Sequence, residues 1–162
     1  MKILSLDQST QKTGFAITID GDYAKSGVIE LKNKDTIQRL LDMTEKIIAL
    51  VNSEDPDIVV FEDVHYSRGM VHGLILLARL QGMLMLRLSN LDKGWAIVAP
   101  TVWKSCCGIK GRDRKTQKYN TIAFVHDTYG CLVDEDQADA IGIATWAIEN
   151  LEKKKEINNE SQ

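Results

Sequence analysis

The sequence contains little that would mark a secreted, membrane-spanning or disulfide-stabilised protein. Only three of its 162 residues are cysteine. Their odd number and their lack of paired spacing exclude a disulfide framework and a cysteine metal site, so we expect reduced thiols. We expect no apolar run of membrane length, and the first residues lack the charged and apolar regions of a signal peptide. These absences predict a cytoplasmic protein.

A general excess of positive charge is also missing, because the net charge is −3 at pH 7. Any attraction for a nucleic acid must therefore be local. The sequence has no repeat, linker or second set of periodic elements. We predict one domain over residues 1–151 and a charged, flexible tail over residues 152–162.

Two apolar stretches each end directly in an acid. Residues 2–6 are typical of a strand that leads to Asp7, and residues 58–61 are typical of a strand covered on both faces that leads to Glu62. A carboxylate at the end of a buried strand costs free energy unless it is paired, solvated or bound to a cation. Asp is also a favoured turn residue, so Asp7 alone leaves a turn and a functional site equally open.

A further pair of acids stands at the start of a helix. Asp134 and Gln137 have the spacing of a helix cap, which places Asp136 and Asp139 on one face of the first turns. The helix dipole accounts for Asp136, but its effect fades before Asp139. The apolar residues that follow indicate a helix packed on the core, so Asp139 is not expected to be freely exposed.

The order of the elements predicts an α/β fold with a five-stranded mixed sheet flanked by helices. Three hairpin-linked strands at the N-terminus precede a crossover helix and two buried parallel strands. The first strand should lie beside the strand that ends at Glu62, with both acids at one edge. The long apolar helix at residues 70–88 contains small residues that could serve a partner chain, although packing on the sheet is the plainer interpretation.

Residues 104–118 form a local basic segment with a glycine-containing loop in its middle. The segment holds one acid, Asp113, and six basic residues: Lys104, Lys110, Arg112, Arg114, Lys115 and Lys118. Such a segment in an acidic protein suggests contact with a polyanion. A solvated surface loop is the alternative interpretation.

The four acids Asp7, Glu62, Asp136 and Asp139 would repel one another unless their charge is offset. Oxygen ligands select hard cations, so Mg²⁺ is the expected ion and Mn²⁺ its substitute. Two such ions, about 3.5–4 Å apart, activate a water and stabilise the leaving oxygen of a phosphodiester. Together with the basic segment, this points to a metal-dependent nuclease.

At this point the chain resembles the RuvC-type Holliday junction resolvases, whose fold is ribonuclease H-like. The family motif around the first acid is matched by residues 7–16, and its second acid follows a buried strand, as Glu62 does. Its basic motif is similar to Lys104 followed by residues 115–117. Its last motif is similar to residues 136–144. The four motifs occur in the family order and cover residues 1 to about 150.

The resemblance implies a homodimer that nicks two strands of a four-way DNA junction, or another branched DNA, at symmetric positions. It implies that Lys104 and Lys115 lie near the scissile phosphate, with Lys115 catalytic. The other basic residues would hold the DNA backbone. Gln8 and Ser9 replace the Pro-Gly of the family. His65 and Tyr66 stand where bacterial members carry a stacking aromatic, so we expect them to contact DNA. In these departures the chain resembles phage-encoded members of the family more than housekeeping ones.

Two other functions compete with this one. An actin-like ATPase or kinase fragment predicts a later glycine-rich phosphate loop, which the sequence does not contain. A DNA-structure-binding protein without catalysis would gain nothing from a repulsive group of carboxylates beside phosphates. The sequence does not indicate a helicase partner.

Overall fold

The computed structural model describes residues 1–65 and 71–152, with only the backbone of residue 152. Five strands are present in this part of the chain: β1 (Lys2–Asp7), β2 (Lys12–Ile19), β3 (Asp22–Glu30), β4 (Ile58–Glu62) and β5 (Gly94–Val98). The helices are α1 (Thr36–Glu54), α2 (Val71–Asn90), α3 (Pro100–Cys106), α4 (Arg114–Tyr129) and α5 (Glu135–Ala147), after which Ile148–Glu152 is π-helical.

The strands form one mixed sheet in the order β3-β2-β1-β4-β5. The β1–β2 and β2–β3 pairs are antiparallel, whereas β1–β4 and β4–β5 are parallel. Asp20 and Gly21 both have positive φ, at 51° and 86°, which makes the tight β2–β3 hairpin turn. The predicted fold class and the predicted pairing of the first strand with the strand ending at Glu62 are confirmed.

Helices cover both faces of the sheet because strand side chains alternate between the faces. On one face, Leu4, Leu6 and Phe61 pack in a core with α1 and α2. On the other face, Ile3 and Val60 pack with α3 and α5. The second face holds the element that carries Asp136 and Asp139.

Helix α5 packs closely on its neighbours at two positions that carry no side chain. A Cβ on Gly14 of β2 would stand 1.9 Å from the backbone oxygen of Asp136. Any larger residue at Gly14 would displace the start of α5. A Cβ on Gly142 of α5 would stand 2.5 Å from the ring of Trp103 on α3. Gly14 therefore limits where the α5 acids lie relative to the sheet, and Gly142 allows α5 to approach α3.

Helix α2 uses two faces. Its buried side packs in the sheet core, with Leu76, Leu80, Gln81, Leu84 and Leu88 buried.

Contrary to our expectation, α2 is long and apolar enough, by length and composition alone, to cross a membrane. A core helix of a soluble protein meets the same two criteria. In α2, five residues are buried, and they make up only part of a window of which 28% is buried inside the structure.

The middle of the basic segment is a loop, as predicted. It lies between α3, which carries Lys104, and α4, which begins at Arg114. The predicted start of the second helix at residue 70 lies outside the described residues. Of the tail predicted over residues 152–162, only residue 152 is described, and it ends the π-helical turn.

Candidate active site

A cleft of about 1150 Å³ opens at the carboxyl ends of β1 and β4. Its walls come from the turn after β1, the start of α2, α3, the loop after α3, and the first turns of α4 and α5. The parallel pairing of Leu6 with Phe61 brings the next residue of each strand, Asp7 and Glu62, to the same end of the sheet. All four predicted acids, Asp7, Glu62, Asp136 and Asp139, line this cleft.

Asp7 is more deeply buried than Glu62 and Asp139, although it is still partly exposed. Burial is the main cause that raises the pKa of its carboxyl group well above the usual value. The nearby charges of Asp139, Glu62 and Asp136 raise this pKa further, while Lys104 opposes them. The prediction that the chain brings these four acids together is thus supported by their mutual electrostatic effect.

Glu62 is held at both its backbone and its side chain. Its backbone oxygen accepts hydrogen bonds from Nε2 of Gln8 at 2.6 Å and from Nε2 of Gln81 at 3.1 Å. Its Oε1 accepts a hydrogen bond from the indole Nε1 of buried Trp103 at 2.7 Å. Burial raises the pKa of Glu62, and the bond from Trp103 and the charge of Lys104 act in the opposite direction. The carboxylate therefore has a fixed orientation toward the cleft.

The two α5 acids have different surroundings. Burial raises the pKa of Asp139, while the charges of Lys104 and Lys118 and a hydrogen bond from Thr121 lower it. Asp136 instead forms an ion pair with Lys12, whose Nζ stands 2.5 Å from Oδ2 of Asp136. The same Nζ stands 2.8 Å from Oδ2 of Asp134, the residue that caps α5.

The donor set fits a hard divalent cation. The four side chains offer only carboxylate oxygens, and a buried cluster of like charge is stabilised by a cation. Within residues 1–65 and 71–152, however, no three His, Cys, Asp or Glu side chains are close enough to hold an ion as they stand. Trp103 hydrogen-bonds Glu62, and Lys12 pairs with Asp136. These separate partners account for part of the distance between the two carboxylates.

Carboxylates outnumber cations along the cleft. Among the described residues, seven acids line it, against five lysine and arginine side chains: Lys12, Lys104, Lys110, Arg114 and Lys118. Two of these cations are already engaged with acids, since Lys118 pairs with Glu135 and Lys12 with Asp134 and Asp136. A phosphate backbone would therefore meet repulsion here unless divalent ions are bound.

The predicted basic residues divide into two groups. Lys104 stands at the centre of the cleft, with Nζ 3.4 Å from Oε1 of Gln117 and 5.1 Å from the ring centre of Trp103. Lys110, Arg114 and Lys118 line the cleft as well. Arg112 and Lys115 are exposed and stand apart from the lining residues.

The two predicted DNA-contacting residues after β4 are only partly described. His65 lines the cleft, and its charge lowers the pKa of Glu62. Tyr66 lies outside the described residues.

Sequence reasoning missed several side chains that shape the site. Trp103, Gln81 and Lys12 act through contacts between elements that are distant in sequence, 41, 19 and 122 residues apart from their partners. The sequence around Trp103 and Gln81 contains no local pattern that predicts these contacts. For Lys12 the indication is weak: it lies shortly after Asp7, at the start of β2.

The sequence profile of one protein family matches residues 3–146, and that family is described as crossover junction endodeoxyribonuclease RuvC. The match covers most of the chain. The chain belongs to the RuvC family. Nucleases of this family are metal-dependent, in keeping with the acid cluster at the cleft.

Curated RuvC relatives match over nearly the full chain. Crossover junction endodeoxyribonuclease RuvC of Koribacter versatilis is 26% identical over 150 residues, which cover 89% of this chain and 90% of the relative. The protein of the same name from Aliarcobacter butzleri is 26% identical over 155 residues, covering 93% of this chain and 100% of the relative.

Solved structures share the fold. The RuvC of T. thermophilus in complex with a Holliday junction substrate has a TM-score of 0.73 at 13% identity, over 93% of this chain and 97% of that chain. The Fowlpox virus resolvase in complex with Holliday junction DNA has a TM-score of 0.64 at 13% identity, over 93% and 99%. At these identities the likeness establishes the ribonuclease H-like resolvase fold.

The raised pKa of Asp7 predicts that this carboxylate destabilises the metal-free protein. Because Asp7 keeps its proton to a higher pH in the folded chain than in the unfolded chain, its effect is that stability without metal falls as pH rises above the usual pKa of an aspartate. Asp7→Asn should raise the free energy of unfolding at pH 7 by about 1 kcal/mol or more and flatten its pH dependence. Urea unfolding in EDTA at pH 5 and pH 7 measures both effects.

Asp63→Asn is the matched control, since Asp63 lines the same cleft but is exposed. It should leave stability and its pH dependence nearly unchanged. A loss of stability in Asp7→Asn at pH 7 without metal would show that the carboxylate is stabilised by the fold, contrary to the account given above.

Proposed function

We propose that this chain is a metal-dependent endonuclease that resolves four-way DNA junctions by paired, symmetric nicks. The observation that carries the proposal is the meeting of Asp7, Glu62, Asp136 and Asp139 in one cleft of a RuvC-family chain. Curated relatives bear the name crossover junction endodeoxyribonuclease, and two solved structures of the same fold hold Holliday junction DNA. Such an enzyme acts in recombination, repair or phage DNA processing, in the cytoplasm.

The four acids are the proposed ligands of two Mg²⁺ ions, with Mn²⁺ as a substitute. Support comes from the burial and mutual repulsion of these carboxylates, which a divalent cation would relieve. When bound, such ions activate a water and stabilise the departing oxygen of a phosphodiester. The hydrogen bond from Trp103 keeps Glu62 oriented before any ion arrives, so less reorganisation is needed on binding.

Lys104 is the proposed contact to the scissile phosphate. It is partly buried at the centre of the cleft and acts electrostatically on Asp7, Glu62 and Asp139. A lysine in this place donates a charge-assisted hydrogen bond to phosphate and stabilises charge that develops in the transition state. Lys115 is proposed for the same role. Because its side chain is exposed outside the cleft lining, DNA would have to cover the start of α4.

The remaining basic residues are proposed to hold the DNA backbone. Lys110, Arg114 and Lys118 lie along the cleft wall, and Arg112 extends the positive surface beyond it. Contacts of this kind supply salt-dependent affinity without sequence preference. His65 at the cleft, together with Tyr66, is proposed to contact a phosphate or a base near the junction.

A homodimer is proposed because a two-fold symmetric junction requires two sites related by two-fold symmetry. The outer face of α2 supports this. Its exposed residues recur every three or four positions and form a stripe, the α2 stripe, of Val71, Ile75, Ala78, Gly82 and Leu86. Exposed apolar stripes of this length commonly mark protein interfaces, and the small residues allow close approach.

Removing one acid should separate catalysis from binding. Asp139→Asn should lower the nicking rate on a synthetic four-way junction by at least about a hundredfold, the scale for losing one group that stabilises transition-state charge. Junction binding should persist or tighten, because a negative charge near phosphates is lost. Gel assays with junction, fork and duplex, with and without Mg²⁺, measure both properties.

The control for this experiment is Asp63→Asn, in which an exposed acid of the same cleft is removed. Its nicking rate should stay within about twofold of the wild type, on the scale of exposed charges. Nicking by Asp139→Asn at the wild-type rate would exclude the carboxylate site. Binding of the junction without nicking by the wild-type protein would identify a branched-DNA-binding protein instead.

The lysines should affect the chemical step rather than binding. Lys104→Ala and Lys115→Ala should each lower the single-turnover rate on saturated junction by about tenfold or more, since a phosphate contact is lost. Arg112→Ala is the control and should mainly weaken binding and reduce its salt dependence. If neither lysine variant changes the saturated rate, the basic segment only holds DNA.

The α2 stripe should determine the oligomeric state. Wild-type protein should sediment at twice the 18.2 kDa chain mass. Ile75→Glu should shift this to the monomer, because a charge cannot be buried in an apolar interface without a partner. Ile37→Glu on α1 is the control, since Ile37 is 53% exposed and lies on another helix. A dimer that persists in Ile75→Glu would place the interface elsewhere.

A further inference from the structure

Lys12 contacts the acid cluster from the rim of the cleft. Its Nζ stands 2.5 Å from Oδ2 of Asp136 and 2.8 Å from Oδ2 of Asp134. Lys12 lies within the first matched motif, residues 7–16, but the function proposed above assigns it no role. It is nevertheless in direct contact with Asp136, one of the four proposed metal ligands.

Both ends of this contact are fixed by the fold. The backbone N–H of Lys12 donates to Oγ of Ser9 at 3.0 Å, and this hydroxyl donates to the backbone oxygen of Lys12 at 2.9 Å. On the other side, the backbone oxygen of Asp136 lies against Gly14, which leaves no room for a Cβ. The backbones of Lys12 and Asp136 are therefore held in place, and only the two side chains can move.

Lys12 brings one positive charge to Asp136, because a lysine ammonium group is protonated at neutral pH. Its Nζ lies within ion-pair distance of both Asp134 and Asp136. A divalent ion that uses Asp136 as a ligand has to compete with this charge.

We propose that Lys12 is a resident cation on Asp136 and sets the affinity of the site for its more weakly held divalent ion. An ion that includes Asp136 among its ligands binds after the Lys12 ammonium has left Oδ2 of Asp136. An ion held by Asp7, Glu62 or Asp139 without Asp136 would be bound independently of Lys12. This inference rests on the metal-dependent function proposed above.

Asp134 gives the displaced lysine a second partner. Its Oδ1 accepts the backbone N–H of Gln137 at 2.9 Å and caps α5, so this carboxylate stays in place when Asp136 turns toward an ion. Lys12 then remains paired through Oδ2 of Asp134. The exchange leaves no charge unpaired at the rim, which makes it reversible as ions bind and leave.

The competing interpretation is a surface ion pair that only joins β2 to α5. The three side chains are partly exposed, at 37% for Lys12, 42% for Asp134 and 28% for Asp136, and such pairs add little to stability. The two interpretations differ in what happens to metal binding when the charge is removed. A joining ion pair predicts unchanged or weaker binding, and a resident cation predicts tighter binding.

Titration with Mn²⁺, followed by the electron paramagnetic resonance signal of the free ion, tests this without any DNA. Wild-type protein should bind one ion more tightly than the second. Lys12→Met, which is unbranched and one atom shorter, should tighten binding of the weaker ion by about tenfold or more, the effect of removing a unit charge a few ångströms away. Lys12→Gln should act in the same direction, and serves if the methionine variant is poorly folded.

Two controls isolate the charge and the site. Lys12→Arg should bind Mn²⁺ as the wild type does. Lys25→Met removes a lysine whose Nζ stands 2.7 Å from Oε1 of Glu54, outside the cleft lining, and should also leave binding unchanged. Equal or weaker binding of the second ion by both neutral variants would overturn the proposal.

A double variant shows whether Lys12 acts through Asp136. In the background of Asp136→Asn, the change Lys12→Met should alter the affinity for Mn²⁺ by no more than about twofold, because the partner is gone. A tenfold effect that persists there would mean that Lys12 acts on the whole cleft, against the proposal. Absence of any Mn²⁺ binding by the wild type would instead contradict the metal-dependent function itself.

Discussion

The parallel pairing of β1 with β4 is the constraint on which the site depends. Register places Leu6 opposite Phe61, so the acid that ends each strand emerges at the same edge of the sheet. The close contact of α5 with Gly14 then brings a second pair of acids to that edge. Interactions among the acids themselves stabilise neither arrangement. The burial of apolar side chains on the strands and on α5 supplies the free energy that offsets the repulsion among the carboxylates.

The electrostatic cost of this arrangement is offset by a few specific contacts. The Trp103 indole donates to Glu62, Lys104 acts on three of the acids, and Lys12 pairs with Asp136. These groups leave the cleft with an excess of carboxylates. A site of this kind attracts divalent cations, and a bound cation would reduce the repulsion that the carboxylates exert on a phosphate.

The sequence predicts the framework of the site better than its details. Strand patterns ending in Asp7 and Glu62, and a helix cap followed by Asp136 and Asp139, are local signals that survive in the fold. The contacts made by Trp103, Gln81 and Lys12 join distant segments and have no local pattern. Likewise, the basic residues are neighbours in the sequence, but the structure separates them. Lys104 on α3 lines the cleft, whereas Lys115 on α4 is exposed and does not.

The proposed cation site of the four carboxylates is tested most directly by anomalous diffraction from crystals soaked in Mn²⁺. We expect an anomalous peak in the cleft, bound by Asp7 together with Glu62 or Asp139, and a weaker peak that includes Asp136. A peak confined to the exposed acids of the rim, such as Glu135 or Asp63, with none at Asp7, would contradict it.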